Sequence, residues 1–235
     1  MLKCSSLPVH VAFIMDGNRR WAQAQGIPKM FGHRKGVERL KDVLNMAIEA
    51  GVRYVTFFMF STENWQRTKE EVSYLMDLFR EALHNAVQEQ HEKGVCVRAI
   101  GDMRKFPEDI QKLSVEAEEK TRNNTTLHVQ FALNYGSRAE ILQAVQAVAQ
   151  DAREGKIDPE SLTEENFAAR LFTAGIPDPD LLIRTSGELR LSNFLLWQLA
   201  YAEFVFVDKH WPAFSREDFQ QALDIYACRQ RRHGR

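Results

Sequence analysis

The chain has 235 residues, of which 44% are apolar and 27% charged, and its formal net charge is −1. This size and composition predict one globular domain over residues 1–235 and give no electrostatic reason to expect nucleic acid as a partner. Three widely spaced cysteines form neither a disulfide framework nor a zinc pattern, and no run approaches the roughly 18 apolar residues of a membrane span, so we expect a cytoplasmic protein.

The first predicted element is a short apolar strand, Val11 to Met15, which ends abruptly at the turn Asp16-Gly17-Asn18. Two arginines and a tryptophan follow the turn, and more basic residues come after them. Open α/β sheets bind ligands at the carboxyl ends of their strands. A carboxylate there, beside several cations, indicates a site for Mg²⁺ and a diphosphate. The alternative is a strand and a turn followed by a solvated charged helix.

Downstream of this turn, predicted strands alternate with predicted helices. Strands are expected at 52–60, 95–100, 127–133, 181–183 and 203–207, and helices at 34–50, 69–93, 107–121, 137–152, 163–172 and 215–230. Thr68 and Glu71 form a capping-box pattern at the start of the second of these helices. In the helix at 137–152, the residues expected to face the core are Ile141, Leu142, Val145 and Val148. The alternation predicts an α/β fold with a central, mostly parallel six-stranded sheet flanked by helices.

Two more polar clusters follow predicted strands, at 61–65 and at 184–192. Because the carboxyl ends of parallel strands emerge at one edge of a sheet, we expect both clusters to meet the first turn there. Arg184 and Arg190 are suited to holding a second phosphate group, and Ser192 is suited to adding a hydrogen bond.

Some of these residues also have ordinary structural explanations. Trp21 and Trp65 belong to a residue type that more often packs than lines a ligand site, and His33 is by default a surface histidine. Glu203 opens a predicted strand, where a carboxylate is unusual unless it is exposed or near a cation. The segment 61–71 links a strand to a long helix, and we expect it to be mobile and to order as a lid when diphosphate binds.

Longer motifs carry a more specific signal. No Walker loop, G-x-G-x-x-G, H-E-x-x-H or G-x-S-x-G pattern is present, which disfavours nucleoside-triphosphate, nicotinamide, zinc-protease and serine-hydrolase chemistry. The motifs that stand out are MDGNRRWA, FGHRKG, FSTENWQR, LLIRTSGELRLSNFLLWQLAYAEFVF and WPAF. In order and spacing they resemble the cis-prenyltransferase family, from His10 to Gly234.

The resemblance implies a Mg²⁺-dependent homodimer that condenses isopentenyl diphosphate units in cis onto an allylic diphosphate, usually farnesyl diphosphate. The expected product is a long-chain polyprenyl diphosphate, with undecaprenyl diphosphate, the lipid-carrier precursor for cell-wall polysaccharide synthesis, as the leading candidate. A lipid product also implies peripheral membrane contact and an apolar tunnel. The tunnel candidates, each equally explained as a core residue, are Phe57, Met59, Leu75, Phe79, Leu83, Ile100 and Leu133.

The resemblance also assigns site residues. Asp16 matches an essential aspartate at the metal and the diphosphate, and Glu203 matches a second metal-linked carboxylate. The allylic diphosphate pocket is matched by Gly17, Asn18, Arg19, Arg20 and Trp21, with further phosphate contacts at Lys29 and His33. The flexible loop is matched by Ser61, Thr62, Glu63, Asn64, Trp65 and Arg67, and the isopentenyl diphosphate site by Arg184, Arg190, Leu191 and Ser192.

The family's proposed proton acceptor is matched by Asn64. An amide is not basic at neutral pH, so we favour a water, a phosphate oxygen or Asp16 as the group that takes the proton. Negative charge develops on the departing diphosphate, and Mg²⁺ with arginine is suited to stabilising it.

The chain departs from the family pattern at three positions. Arg19 replaces a glycine of several bacterial members, and Lys29 replaces an arginine, which keeps the charge and loses the bidentate fork. Leu189 stands where some members have a metal-interacting histidine, which puts a second protein ligand there in doubt. At the C-terminus, Arg232-His233-Gly234 resembles a signature that reaches the isopentenyl diphosphate site of the other subunit.

The sequence leaves two other functions open. A non-catalytic prenyl-binding subunit of the same fold would be expected to lose the metal aspartate and the phosphate arginines, which are present here. A metal-dependent phosphohydrolase using Asp16 as nucleophile is disfavoured, because position 18 is Asn and the expected D-x-D pattern is missing.

Overall fold

The structure, a computed structural model, describes residues 7–229, without the side chains at 85–88. Its strands are β1 (His10–Ile14), β2 (Tyr54–Ser61), β3 (Val95–Ile100), β4 (Leu127–Tyr135), β5 (Leu181–Thr185) and β6 (Glu203–Val207). Its α-helices are α1 (Asn18–Ala24), α2 (Lys29–Ala50), α3 (Lys69–Glu92), α4 (Glu108–Thr121), α5 (Ser137–Arg153), α6 (Glu164–Ala168) and α7 (Arg216–Cys228). Short 3₁₀ turns lie at Thr62–Gln66, Met103–Lys105, Pro159–Ser161 and Trp211–Ala213.

The strands form one sheet in the order β3-β4-β2-β1-β5-β6, and each neighbouring pair is parallel. The predicted six-stranded α/β fold is therefore confirmed, and the carboxyl ends of all the strands share one edge. Strand β1 lies between β2 and β5, which come from different halves of the chain. The end of β1 is thus a topological switch point, the usual position of a ligand in an open α/β sheet.

Alternate strand residues pack into different apolar clusters on the two faces of the sheet. In β1, Val11 and Phe13 belong to the larger cluster, whereas Ala12 and Ile14 belong to the smaller one. Helices α2, α3 and α7 cover the larger cluster, and the segment around Phe194 covers the smaller one. Both faces are buried, which explains why the strands read as nearly continuous apolar runs.

A β-bulge interrupts the alternation near the end of β2. Phe58 pairs with Ala132 and Phe60 pairs with Leu133, so Met59 is an extra residue on the β2 side. Phe60 therefore joins the larger cluster, and Met59 also packs against it. Bulges of this kind re-aim side chains near binding sites, and this one lies where β2 approaches the end of β1.

Three predicted boundaries are corrected by the structure. Helix α2 begins at Lys29 rather than at residue 34. Its first turn can lie against α1 because Gly32 has no side chain, whereas a Cβ at that position would come within 2.0 Å of the Asn18 carbonyl oxygen. Strand β4 continues to Tyr135, since its last residues still pair with β2. Helix α6 has five residues instead of ten, and successive turns carry the chain from there to Leu171.

The predicted inward face of α5 is partly wrong. Leu142 and Val145 are 58% and 47% exposed, whereas Ile141 and Val148 pack against a small cluster around Ala144. The helix is rotated because Glu140 and Ala144 take the buried positions, where Glu140 accepts a hydrogen bond from the backbone N–H of Phe172 at 2.9 Å.

A buried polar chain crosses the sheet near the start of β1. His10 is 1% exposed, its Nδ1 lies 2.6 Å from the carbonyl oxygen of Pro177, and its Nε2 lies 2.8 Å from Thr56 Oγ1. Thr56 in turn lies 2.9 Å from Gln130 Oε1. Burial lowers the pKa of His10 to about 4 from an ordinary 6.5, although the Pro177 carbonyl and Asp180 oppose the shift. His10 is therefore neutral in the folded protein at pH 7.

We predict that His10 makes folding sensitive to mild acid. Below about pH 6.5 the unfolded chain binds a proton that the folded chain accepts only near pH 4, so the free energy of unfolding falls across this window by about 3 kcal/mol. Urea unfolding at pH 7 and pH 4 should show this loss in wild type and a smaller loss in His10→Gln. The exposed His84→Gln is the matched control. Equal losses in wild type and His10→Gln would contradict the assignment.

Candidate active site

The polar clusters that follow β1, β2 and β5 meet at the carboxyl edge of the sheet. Two adjoining cavities of about 350 and 470 Å³ open there. Residues of the Asp16 turn and of α2 line both cavities, and the shared residues are Met15, Asp16, Asn18, His33 and Arg67. The larger cavity also reaches the residues after β2 and β5, including Ser61, Glu63, Asn64 and Ser192. The predicted convergence of strand ends therefore holds.

Asp16 is the centre of this site. Its Oδ1 accepts a hydrogen bond from Arg20 Nη2 at 3.0 Å, and its Oδ2 accepts one from Arg184 Nη2 at 2.8 Å. Arg190 Nη2 lies 4.0 Å from the same Oδ2. Burial favours a higher pKa for Asp16, but the hydrogen bond and charge of Arg184, followed by those of Arg20, outweigh it and lower the pKa. Asp16 is consequently ionised at neutral pH.

Glu188 is a second carboxylate among the arginines, and the sequence-based site assignment omitted it. Its Oε1 accepts a hydrogen bond from Arg20 Nη1 at 2.7 Å, and its Oε2 is paired with Arg190 Nη1. Arg20 and Arg190 come from the two predicted diphosphate sites. The signal available in the sequence was an acidic residue between Arg184 and Arg190.

The Gly17 turn is packed too tightly for any side chain. Gly17 has φ of 95°, and a Cβ there would come within 2.0 Å of Ser186 Oγ and 2.6 Å of His210 Nδ1. Asn18 follows as the first residue of α1, and its buried Oδ1 has no hydrogen-bond partner among the described residues. An unpartnered buried acceptor that lines both cavities is a group available to a ligand or an ordered water.

A third carboxylate, Glu71, contacts two arginines and His33 at the cavities. Glu71 Oε1 lies 3.1 Å from His33 Nε2 and 3.0 Å from Arg67 Nη1, and Oε2 lies 3.6 Å from Arg19 Nη1. The predicted cap is present, since Thr68 Oγ1 accepts from the Glu71 N–H, but the Glu71 carboxylate turns to the cations instead of completing the box.

His33 is not a surface residue, and the default explanation of it is wrong. It is 8% exposed, and burial and the charge of Arg67 lower its pKa despite the opposing hydrogen bond with Glu71. Its ring is therefore neutral at pH 7. Lys29 and Arg19 line the smaller cavity beside it, and Trp21 lies half-buried in α1.

The segment after β2 is held in place by three side-chain hydrogen bonds. Asn64 Oδ1 accepts from the N–H of Ser61 at 3.1 Å, which caps the 3₁₀ turn at Thr62–Gln66. Trp65 Nε1 donates to Asn134 Oδ1 at 2.8 Å, and its ring packs edge-on against Phe60 and Phe106. Glu63 Oε1 accepts from Asn193 Nδ2 at 3.2 Å.

The loop after β5 is shaped by Arg184. This side chain is 3% exposed and donates through Nη1 to Ser192 Oγ at 2.8 Å and to the carbonyl oxygen of Arg190. Leu191 packs against the smaller apolar cluster, whereas Leu189 is 75% exposed. The arginine that binds Asp16 therefore also fixes the backbone that carries Arg190.

The structure does not bring Glu203 to Asp16. Glu203 opens β6 in register with Leu181 at the start of β5, so it lies at the opposite edge of the parallel sheet. Its carboxylate accepts a hydrogen bond from Arg229 at 2.8 Å. Within one chain, Asp16 and Glu203 are too far apart to share an ion. Across residues 7–229, no group of three or more His, Cys, Asp or Glu side chains could hold a metal by itself. The Arg232-His233-Gly234 signature, which was expected to reach the other subunit, lies outside the described residues.

Comparison with known proteins identifies the family. A family model described as putative undecaprenyl diphosphate synthase matches residues 14–234. The chain belongs to the undecaprenyl diphosphate synthase family. An isoprenyl transferase of Agrobacterium fabrum is 50% identical over 230 residues, covering 98% of this chain and 93% of that relative. The (2E,6E)-farnesyl-diphosphate-specific ditrans,polycis-undecaprenyl-diphosphate synthase of Micrococcus luteus is 47% identical over 233 residues, covering 99% and 94%.

Solved structures of the family share the fold. Lavandulyl diphosphate synthase from Lavandula x intermedia, solved in complex with dimethylallyl diphosphate, is 36% identical with a TM-score of 0.92, covering 97% of this chain and 99% of its own. A probable undecaprenyl diphosphate synthase from Campylobacter jejuni is 32% identical with a TM-score of 0.80, covering 98% and 100%. The resemblance to cis-prenyltransferases is therefore confirmed, and the chain is a prenyltransferase.

We predict that Gly17→Ala destabilises the protein more than Gly51→Ala does. Both glycines have left-handed backbones, with φ of 95° and 80°, but a Cβ at Gly51 meets nothing within 4 Å. Gly51→Ala should cost about 1–2 kcal/mol for the backbone alone, and Gly17→Ala about 1–3 kcal/mol more for the clash with Ser186 and His210. Urea unfolding of the two variants measures the difference, and equal losses would show that the turn relaxes freely.

Proposed function

We propose that this family member condenses isopentenyl diphosphate with an allylic diphosphate across the two adjoining cavities. The observation that carries the proposal is the position of Asp16, whose carboxylate pairs with Arg20 on one side and with Arg184 on the other. Those arginines belong to different phosphate sites, so the two diphosphates would be bound side by side. Such proximity lowers the entropic cost of joining their carbon chains.

The smaller cavity fits the allylic diphosphate. Its cationic lining consists of Arg19, Arg20, Lys29 and Arg67, with the neutral His33 beside them. Arg67 and Arg19 pair with Glu71, and Arg20 pairs with Glu188. A diphosphate would compete with these carboxylates for the guanidinium groups, which are already gathered in place.

The loop after β5 fits isopentenyl diphosphate. Arg190 is 57% exposed on its side chain, where it pairs with Glu188 and lies 4.0 Å from Asp16, and Arg184 is hydrogen-bonded to Ser192 in the same loop. These residues would supply positive charge and hydrogen bonds to the diphosphate of isopentenyl diphosphate. Asp16 lies between them and the cations of the allylic site. The double bond of isopentenyl diphosphate would then lie near the allylic carbon that loses its diphosphate and forms the new bond.

The residues present fit a magnesium ion that is shared with substrate. Mg²⁺ is usually bound through one or two carboxylates together with waters and substrate phosphates. Asp16 is the carboxylate in the cavities that is flanked by both phosphate sites, and its lowered pKa keeps it ionised as a ligand. When bound there, Mg²⁺ would neutralise charge on the departing diphosphate.

We infer that a diphosphate oxygen takes the proton released after the new bond forms. The oxygen of Asn64 already accepts from the N–H of Ser61, and an amide is not a base. Asp16 is held by Arg20 and Arg184, and its lowered pKa makes it a weak base as well. A departing diphosphate is the stronger base and remains beside the reacting carbons.

A series of neighbouring cavities that share apolar lining residues supports the expected tunnel. The larger site cavity shares Met59 and Leu75 with a narrow cavity of about 50 Å³, which in turn shares Met59 and Phe79 with a deeper apolar one. The deeper cavity also reaches Leu83 and Leu133. Of the other candidates, Phe57 is fully buried and stacks on Phe13 and Phe131, and Ile100 faces the opposite side of the sheet.

We propose a homodimer as the working assembly. Strand β6 is an edge strand, and large apolar side chains are exposed on helix α5 and in the segment that leads into β6, namely Leu142, Val145, Leu196 and Tyr201. A second copy would cover both features.

We also propose four features that follow from the family resemblance. They are the lid movement of 61–71, undecaprenyl diphosphate as the product, a farnesyl diphosphate primer and contact with a membrane surface. None of the described helices is long and apolar enough to cross a bilayer.

The alternative of a non-catalytic subunit is disfavoured by the same geometry. Arg20, Arg184 and Arg190 are not merely present, since each lies within hydrogen-bond or ion-pair distance of Asp16. Turnover of farnesyl and isopentenyl diphosphates to a long-chain product tests the activity directly, and bare phosphate release would indicate a phosphohydrolase instead.

We predict that Asp16→Ala lowers the rate by several orders of magnitude in saturating Mg²⁺, because the proposed metal ligand and the charge between the arginines are both lost. Single-turnover product analysis measures the rate, and circular dichroism verifies the fold. Asp224→Ala, an exposed carboxylate on α7, is the matched control. Near-normal turnover of Asp16→Ala would refute the metal assignment.

We predict that Arg190→Ala raises the KM for isopentenyl diphosphate much more than the KM for the allylic substrate. A hydrogen bond to a charged group contributes about 1.5–3 kcal/mol, which corresponds to roughly ten- to a hundredfold in affinity. Steady-state kinetics with each substrate varied in turn measure both constants, with Arg216→Ala as the control. A selective rise in the allylic KM would mean that the two pockets are exchanged.

A further inference from the structure

Asn193 lies outside every site assignment made from the sequence, yet it occupies a central position. It follows Ser192 at the end of the loop after β5 and lines the larger cavity. Its φ of 65° is left-handed, a conformation that asparagine adopts more readily than most residues. The residue thus turns the loop sharply at the point where it meets α5 and the segment after β2.

The first turn of α5 fixes both the backbone and the side chain of Asn193. The N–H of Ser137 donates to the Asn193 carbonyl oxygen at 2.8 Å, and the N–H of Arg138 donates to Asn193 Oδ1 at 2.9 Å. Ser137 Oγ accepts from the N–H of Leu196 at 2.9 Å, which holds the next turn of the same loop. A backbone N–H can pair only with an acceptor, so these contacts also decide which end of the amide is oxygen.

The remaining end of the amide, Nδ2, therefore points to the segment after β2. It donates to Glu63 Oε1 at 3.2 Å. Gly136 makes this approach possible, since a Cβ there would come within 2.7 Å of both Asn193 Nδ2 and Thr62 Oγ1. One side chain thus ties α5, the Ser192 loop and the Glu63 segment together.

We propose that Asn193 is a positioning residue that couples the two substrate sites. On one side it holds Ser192, whose hydroxyl accepts from Arg184, and on the other it holds the segment of Glu63, Asn64 and Arg67 that lines the larger cavity. Ordering of the loop by isopentenyl diphosphate is transmitted through Nδ2 to that segment. The inference rests on the proposed assignment of this loop to isopentenyl diphosphate.

The test exchanges the donor and the acceptor of the Asn193–Glu63 hydrogen bond. Asn193→Asp keeps the size of the side chain and the acceptor for the Arg138 N–H, but it places a carboxylate against Glu63. Combining it with Glu63→Gln restores a donor–acceptor pair in the reverse direction. The single variants, the double variant and wild type form a double-mutant cycle. Asn45→Asp, which adds the same charge on α2, is the matched control.

We expect Asn193→Asp to lower kcat/KM for isopentenyl diphosphate about tenfold when Glu63 is intact, because a hydrogen bond is lost and like charges meet. In the Glu63→Gln background, the same substitution should lower it by less than about threefold. The melting temperature should change little, because the contact with the first turn of α5 is retained. An equal loss in both backgrounds, or a loss that follows the melting temperature, would overturn the proposal.

The proposed function can be tested separately from this inference by measuring the binding of isopentenyl diphosphate to wild type and to Arg190→Ala by calorimetry. If wild type does not bind, or if Arg190→Ala binds equally well, the substrate assignment of the loop is wrong. If binding depends on Arg190 while Asn193→Asp has the same effect with and without Glu63→Gln, the assignment stands and the coupling role of Asn193 is wrong.

Discussion

The arrangement of the site depends on the ion pair between Asp16 and Arg184. Arg184 is almost fully buried, and its charge has to be matched by an acceptor inside the protein. Asp16 provides that match from the turn after β1, while Arg184 comes from β5, the next strand in the sheet. Because the same guanidinium also binds Ser192 and the Arg190 carbonyl, one buried charge fixes the loop proposed to hold isopentenyl diphosphate.

Carboxylates keep the proposed phosphate-binding cations in place. Three carboxylates, those of Asp16, Glu188 and Glu71, contact the arginines of the site, which are Arg19, Arg20, Arg67, Arg184 and Arg190. Without these acceptors, clustered guanidinium groups would repel one another and remain unpaired where they are buried. Each carboxylate is a weaker partner than a diphosphate with more than one negative charge. The same contacts that stabilise the site thus leave its cations exchangeable.

Local backbone features bring these side chains together. Gly17 permits a left-handed turn against Ser186 and His210, and Gly32 permits α2 to lie against α1. The bulge at Met59 turns the end of β2 so that the following 3₁₀ turn reaches the loop after β5. Each feature occurs at a strand end or at a contact between helices.

The sequence alone determined the sheet, because buried parallel strands and amphipathic helices leave strong periodic patterns, and it determined which strand ends carry polar residues. It did not determine the roles of Glu188, Glu71 and Asn193, since their partners are distant in the chain and only folding brings them into contact. The inward face of α5 was decided by the buried Glu140, which periodicity alone reads as an outward position. Glu203 was placed at the opposite edge because strand direction, rather than residue type, decides where a carboxylate lies.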